Sequence, residues 1–147
     1  MLSAAMKKPR PATFVWIAVW MLVAFISRSG ASAPGTFRLS GRVLGSSGKS
    51  VVYVALWQAD GFLKRPVQLV RIGPAAAPGF QFDVPADRWA VSAFEDRNGN
   101  GILDMGLLGP KEPSGFWHTF KGWHKPRFEE VASMIEGDTA NADITLK

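Results

Sequence analysis

The chain has 147 residues and no cysteine, a length that suits one domain and little more, with no disulfide scaffold, Cys-ligated zinc, iron–sulfur cluster or cysteine nucleophile. Hydrophobic residues make up 47% and charged residues 20%, which excludes a disordered tail. The net charge of +5 is unevenly placed: residues 1–33 hold Lys7, Lys8, Arg10 and Arg28 and no acid, while the remainder holds 13 basic and 12 acidic residues, so no nucleic-acid partner is expected.

Lys7, Lys8 and Arg10 form a positive start to the chain, and Ala12 to Ser27 is apolar apart from Thr13 and Ser27. Small residues follow at Ser29-Gly30-Ala31-Ser32-Ala33. This is the three-part layout of a secretory signal. Its apolar run of 16 residues falls short of the ~20 that a spanning helix needs. Residues 1–33 are therefore read as a signal peptide, cut after Ala33 or Ala31, with an uncleaved N-terminal membrane anchor as the alternative. Either way the positive charge stays inside and the C-terminal domain is exported, to the periplasm or beyond.

The rest, from about residue 36 to 147, reads as strands. Phe37–Leu44 alternates and ends in the turn cluster Gly45-Ser46-Ser47-Gly48. Ser50–Gln58 is rich in β-branched and aromatic residues, with Val52, Val54, Leu56 and Gln58 on one face and Val51, Tyr53, Ala55 and Trp57 on the other. Val67–Ile72 is short and apolar, Gly73–Gly79 is a Pro/Gly loop, Phe80–Val84 alternates, and Trp89–Phe94 follows. Thr139–Leu146 alternates as a last strand. No segment of twelve residues shows a helical apolar period. The fold expected is all-β: an Ig-like or transthyretin-like β-sandwich of about seven strands, preceded by the hydrophobic signal or anchor helix.

Residues 95–130 are too long for an ordinary hairpin loop, and they carry the residue-specific chemistry. Asp96 to Asp104 has the form D-x-N-x-N-G-x-x-D. Oxygens at alternate positions can converge on a hard cation, Gly101 at the sixth place permits a sharp turn, and the seventh residue, Ile102, can offer its carbonyl. The candidate Ca2+ ligands are Asp96, Asn98, Asn100, Ile102, Asp104 and Glu112, with Glu95 a further source of carboxylate. The twelfth place, which needs a bidentate Glu in an EF-hand, is Leu107, so an EF-hand is excluded. The other reading is an Asx-rich turn whose side chains cap their own backbone.

The run from Trp89 through Ala132 resembles the DUF2141 family of exported bacterial proteins of unassigned function. Asp96–Asp104, Gly109-Pro110-Lys111-Glu112, Gly115-Phe116 and Pro126-Arg127-Phe128 carry the resemblance, together with the upstream Gly41–Val43 and Tyr53–Leu56 strands. Glu95 stands where the family pattern has His, Trp117 where it has Ser after Gly-Phe, and Val131 precedes Ala132. The resemblance implies an accessory or binding module on a transthyretin-like or carboxypeptidase-regulatory-like sandwich, and it brings no activity.

Other constellations carry less. His118 and His124 have neither the spacing nor the helix of a zinc site. Ser114, His118 and Asp104 lack a nucleophile elbow, and Asp96, Asp104 and Glu112 as glycosidase carboxylates explain less than a turn does. No catalytic residue is assigned. Phe116, Trp117, Phe120, Trp123 and Phe128 interleave with Lys111, Lys121, Lys125 and Arg127. Phe116 and Phe128 are expected to fill a second small core. Trp117 and Trp123, with Lys121 and Lys125, form an alternative interaction surface for an envelope glycan, lipid or protein.

Overall fold

The computed structural model describes residues 35–147; the signal or anchor reading of residues 1–33 lies outside them. Among the described residues are ten strands and one short α-helix: β1 (Thr36–Leu44), β2 (Val51–Trp57), β3 (Gln68–Ile72), β4 (Gly79–Pro85), β5 (Asp87–Asp96), β6 (Met105–Gly106), β7 (Gly109–Pro110), β8 (Ser114–Phe116), α1 (Phe128–Val131), β9 (Ser133–Ile135) and β10 (Ile144–Thr145). The chain is all-β. No helix among the described residues is long and apolar enough to cross a membrane.

The alternation in β4 is the simplest case. Phe80, Phe82 and Val84 are buried, and Gln81 and Asp83 are exposed. Each such apolar side chain gains about 1.5–3 kcal/mol by burial. A slip of one residue would expose all three, so the antiparallel register with β1, from Thr36 opposite Pro85 to Arg42 opposite Gly79, is strongly fixed.

β1 and β4 belong to a three-stranded sheet of order β10-β1-β4, and the larger sheet has the order β3-β2-β5-β8, with β9 pairing with the start of β5. Leu39, Val43, Phe82, Val84 and Ile144 of the first sheet share one core with Val54, Leu56, Ile72, Trp89 and Val91 of the second. The sheets are also stitched along one side. The Ser114 N–H donates to the Lys147 carbonyl at 3.3 Å, and the Lys147 N–H donates back to the Ser114 carbonyl at 3.2 Å.

The expected strand over Thr139–Leu146 needs correction. This segment runs parallel to β1, but only Ile144 and Thr145 form a ladder, preceded by a single bridge at Thr139. Asn141 takes a left-handed φ of 67° and interrupts it. Side-chain carboxylates stand in for the peptide acceptors: Asp138 accepts from the Arg38 N–H at 2.8 Å and Asp143 from the Arg42 N–H at 2.9 Å. Residues 95–130 also differ from a plain loop, since they hold β6, β7, β8 and most of α1.

The parallel segment approaches β1 very closely at Gly41. A Cβ added there would lie on the backbone carbonyl of Ala142, which has no rotamer by which to move away. Gly41→Ala is expected to cost about 1–3 kcal/mol, seen as a fall of several degrees in Tm. An unchanged melting curve would show that the C-terminal segment does not pack against β1 in this way.

Candidate functional site

The strand period that builds β5 also sets up the loop that follows it. Trp89, Val91 and Ala93 face the main core, so Glu95 falls on the same side and is fully buried, while Asp96 turns the other way and is also buried. A buried carboxylate needs donors, and the loop supplies them. Asp96 Oδ1 accepts from the Gly99 N–H at 2.8 Å and the Asn100 N–H at 3.2 Å, and Oδ2 from the Gly101 N–H at 2.8 Å. Gly101 sits at a φ of 75°, the left-handed turn expected at the sixth place. Two Asx turns follow: Asn98 Oδ1 accepts from the Asn100 N–H at 3.1 Å and Asn100 Oδ1 from the Ile102 N–H at 2.9 Å. The side-chain amides of Asn98 and Asn100 both donate to Asp104 Oδ2.

Glu95 and Glu112 tie this loop to its surroundings. Glu95 Oε1 accepts from the Ser47 N–H at 3.0 Å and from the Ser47 hydroxyl, and Arg97 meets Oε2 at 3.4 Å. Burial alone would raise the Glu95 pKa; the Ser47 hydroxyl and N–H, and then the Arg97 guanidinium, outweigh it and hold the carboxyl below its ordinary value. The buried Glu112 accepts from the Arg97 N–H at 2.8 Å and from the Asp104 N–H at 3.4 Å. It clamps the two ends of the loop together.

The structure therefore gathers Asp96, Asn98, Asn100, Asp104 and Glu112 into one network and leaves the Ile102 side chain exposed. As arranged, the oxygens face N–H groups. Both lone-pair positions of Asp96 Oδ1 are filled, and the two amide N–H groups on Asp104 occupy the place of a positive charge. No group of three His, Asp or Glu side chains is set to hold a metal among the described residues.

Residues 45–143 match the family described as an uncharacterised protein conserved in bacteria, DUF2141. The chain belongs to the DUF2141 family. No curated protein and no solved structure matches it. The DUF2141 span begins just after β1 and ends just before β10, so it holds the whole Asp96–Glu112 network and the aromatic segment behind it.

That aromatic segment crosses the outer face of the larger sheet. Phe128 and Val131 bury with Ala55, Trp57 and Ala90 in a second cluster, with Phe62, Phe116 and Phe120 packed against it. Phe62 meets the Phe128 ring at 5.7 Å and Trp57 at 6.0 Å, both edge-on. The Trp57 indole N–H reaches the Ser92 hydroxyl at 2.9 Å. Trp117 packs partly against the main core and lies 4.4 Å from the His118 ring. His124 lies beside Phe120 and Glu130. Trp123 is fully exposed, at 105%, with Lys121 and Lys125 exposed on either side.

Sequence reasoning missed two features. The β6–β7 hairpin holds Leu107 and Leu108 in open solvent, and apolar residues alone carry no sign of exposure. Glu95 was visible only as a further carboxylate source, although its place on the apolar parity of β5 marked it as a buried brace.

Because Glu95 has a lowered pKa when folded, it contributes stability above its ordinary value, and that contribution is lost as the pH falls through the folded value. Glu95→Gln is expected to cost about 1.5–3 kcal/mol at pH 7. Its difference from the parent should narrow below about pH 4.3; a gap that stays constant to pH 3 in melting curves would remove the charged brace. In the aromatic segment, Phe128→Ala should cost about 3–5 kcal/mol, while Trp123→Ala should leave Tm within a degree or so, as surface substitutions do. A large loss in Trp123→Ala would mean that the ring is covered in solution.

Proposed function

We propose that this protein is an exported, non-catalytic binding or scaffold module on an Ig-like or transthyretin-like sandwich, with the Asp96–Asp104 loop and its neighbours as the working end. The observation that carries the reading is the engagement of all three buried carboxylates. Glu95, Asp96 and Glu112 each accept backbone N–H groups from adjacent loops. Such bonds rigidify a surface, whereas an acid–base pair in a hydrolase needs carboxyl groups free to meet a substrate and a proton. Export rests on the composition of residues 1–33.

Within this reading the loop takes Ca2+ weakly. Asp96, Asn98, Asn100, the Ile102 carbonyl, Asp104 and Glu112 are the candidate donors. The side chains of Asn98, Asn100 and Asp104 lie within hydrogen-bond distance of one another, the closeness that ligands of one cation need, and this supports it. A second reading, contact with glycan or lipid through Trp123, Lys121 and Lys125, is favoured by the full exposure of that indole.

Melting in 1 mM calcium and then in excess chelator tests the cation. For a site of ~0.1 mM affinity, calcium adds about 1.4 kcal/mol, an upward shift of several degrees. Asp104→Asn should abolish the shift. An identical Tm in calcium and chelator would leave the loop as a hydrogen-bonded turn and remove the cation from the proposal.

A further inference from the structure

The sandwich is closed along the side where β8 and β10 lie, by the paired backbone bonds of Ser114 and Lys147. On the other side β3 and β4 are the terminal strands of their sheets. A terminal strand leaves the N–H and C=O groups of alternate residues without a ladder partner. Among the described residues β3 pairs only with β2, and no further backbone bond reaches Gln68 to Ile72. β4 is blunted as edges usually are: its outward side chains include Gln81 and Asp83, and it ends at Pro85. β3 has no proline within it, and its exposed Leu69, at 54%, follows the exposed Val67, at 48%.

The charge beside this edge is of one sign. From Gly61 to Phe82 the chain holds Lys64, Arg65 and Arg71 and no acid, and β2, on the inner side of β3, holds no charged residue at all. All three bases are exposed. The ion pairs of the domain engage Arg42, Arg97, His124 and Arg127 instead. The acids nearest in sequence serve elsewhere: Asp60 lines a hollow with Asp87, Arg88 and Glu129, and Asp83 lies on the other sheet, opposite Arg38.

We infer that β3 takes up an extended, acidic segment of a partner polypeptide as an added strand. Free main-chain donors and acceptors select an extended backbone, and the three bases select its charge. The strand period then divides its side chains. Arg71 stands opposite Tyr53 on the outer face, while Val70 stands opposite Val54 and packs against the main core. The segment therefore presents acids beside Arg71 and apolar side chains beside Val70. The outer face has room for it, since Tyr53 and Phe94, stacked at 5.3 Å in the row of Arg71, are only half-buried. A second copy fits less well, because pairing β3 with itself would bring two sets of Lys64, Arg65 and Arg71 together. The inference rests on the reading of the domain as a binding module and names its partner. It needs neither the cation nor Trp123, so its test is run in chelator and its failure leaves the calcium melting test untouched.

The probe is the acetylated peptide Glu-Val-Glu-Val-Glu-Val-Glu, added to the isotope-labelled full chain in neutral detergent. The expected result is saturable binding by fluorescence anisotropy, with hydrogen exchange slowed about tenfold or more at the alternate β3 amides that do not bond β2. The amides of Gln81 and Asp83 on β4 should be unchanged. N-methylation of alternate peptide amides should weaken binding about tenfold, since it removes main-chain donors. Replacing each peptide Glu by Lys, or Arg65→Glu with Arg71→Glu in the protein at unchanged Tm, should weaken it by a similar factor, about tenfold. Absence of binding would overturn the inference, and so would binding that leaves β3 exchange as it was or that ignores N-methylation. Protection of β3 without peptide would overturn it as well, in favour of a second copy where it grows with protein concentration and of a cover from the same chain where it does not.

Discussion

A carboxylate placed on the core side of a strand stays ionised only if hydrogen-bond donors are brought to it. Glu95 occupies that position at the end of β5, and much of this end of the molecule follows from it. The β1–β2 turn must deliver Ser47 to the carboxylate, and it does so with both hydroxyl and N–H. The turn in turn carries the loop before β4, through Gly48 and Ala75. On the next residue the strand period points Asp96 the opposite way, where it gathers the N–H groups of residues 99–101. Glu112 returns from beyond the hairpin to bind both Arg97 and Asp104. Three loops and a hairpin are thus held by three acids, with backbone donors matched to nearly every oxygen.

The two sheets differ in what they ask of the chain. The outer face of the smaller sheet is polar, with Arg38, Ser40 and Arg42 on β1 beside Gln81 and Asp83 on β4. The larger sheet is apolar on both faces: Val54 and Leu56 face the main core, while Ala55, Trp57 and Ala90 face away from it. An antiparallel sheet tolerates one solvated face, but a face carrying Trp57 needs a cover. The end of β8 and the segment after it supply it through Phe116, Phe120, Phe128 and Val131. The length of residues 95–130 is explained by two tasks in series, closing one end of the sheet and then roofing its outer side.

The elements legible in the sequence are those whose side chains repeat with the strand period. β1 to β5 lie close to their expected places because Phe80, Phe82 and Val84, or Val52, Val54 and Leu56, read directly as one buried face. The C-terminal segment shows the limit of that signal. Ala142, Ile144 and Leu146 are buried as their alternation implies, yet most of the segment is outside any ladder, because periodicity reports faces and not hydrogen-bond partners. The break at Asn141 and the substitution of the Asp138 and Asp143 carboxylates for peptide carbonyls depend on contacts with β1 about 100 residues earlier. The roofing segment was legible in part: Phe116 and Phe128 fill a second small core as expected, but Phe116 ends β8, Phe128 starts α1 and Phe120 lies between them, so their spacing has no period that gives the course of the chain. In the candidate site, the D-x-N-x-N-G-x-x-D spacing foretold a turn built on Asp96. The donors that Glu95 and Glu112 collect come from Ser47 and Arg97 and could be seen only once the strands were assembled.

The placement of apolar side chains in residues 95–130 is selective. The same stretch that buries Phe116 and Phe128 leaves Leu107, Leu108 and Trp123 in open solvent. Burial was available to the first group because Trp57 and Ala90 offered an apolar face. The hairpin instead extends beyond the end of β5, past the polar network, where none of the described residues covers Leu107 or Leu108. Local rules argue against leucine there on both counts, turn geometry and solvation, and sequences that break local rules without a folding gain do so most often at functional sites. The hairpin base and the roofing segment also flank one shallow hollow of about 280 Å³, lined by Pro110, Ser114, Phe116, Thr119, Phe120 and Lys147. The exposed leucines thus stand on a hairpin whose base is tied to the carboxylate network beneath it, through the Lys111 N–H that donates to the Asp104 carbonyl at 2.8 Å.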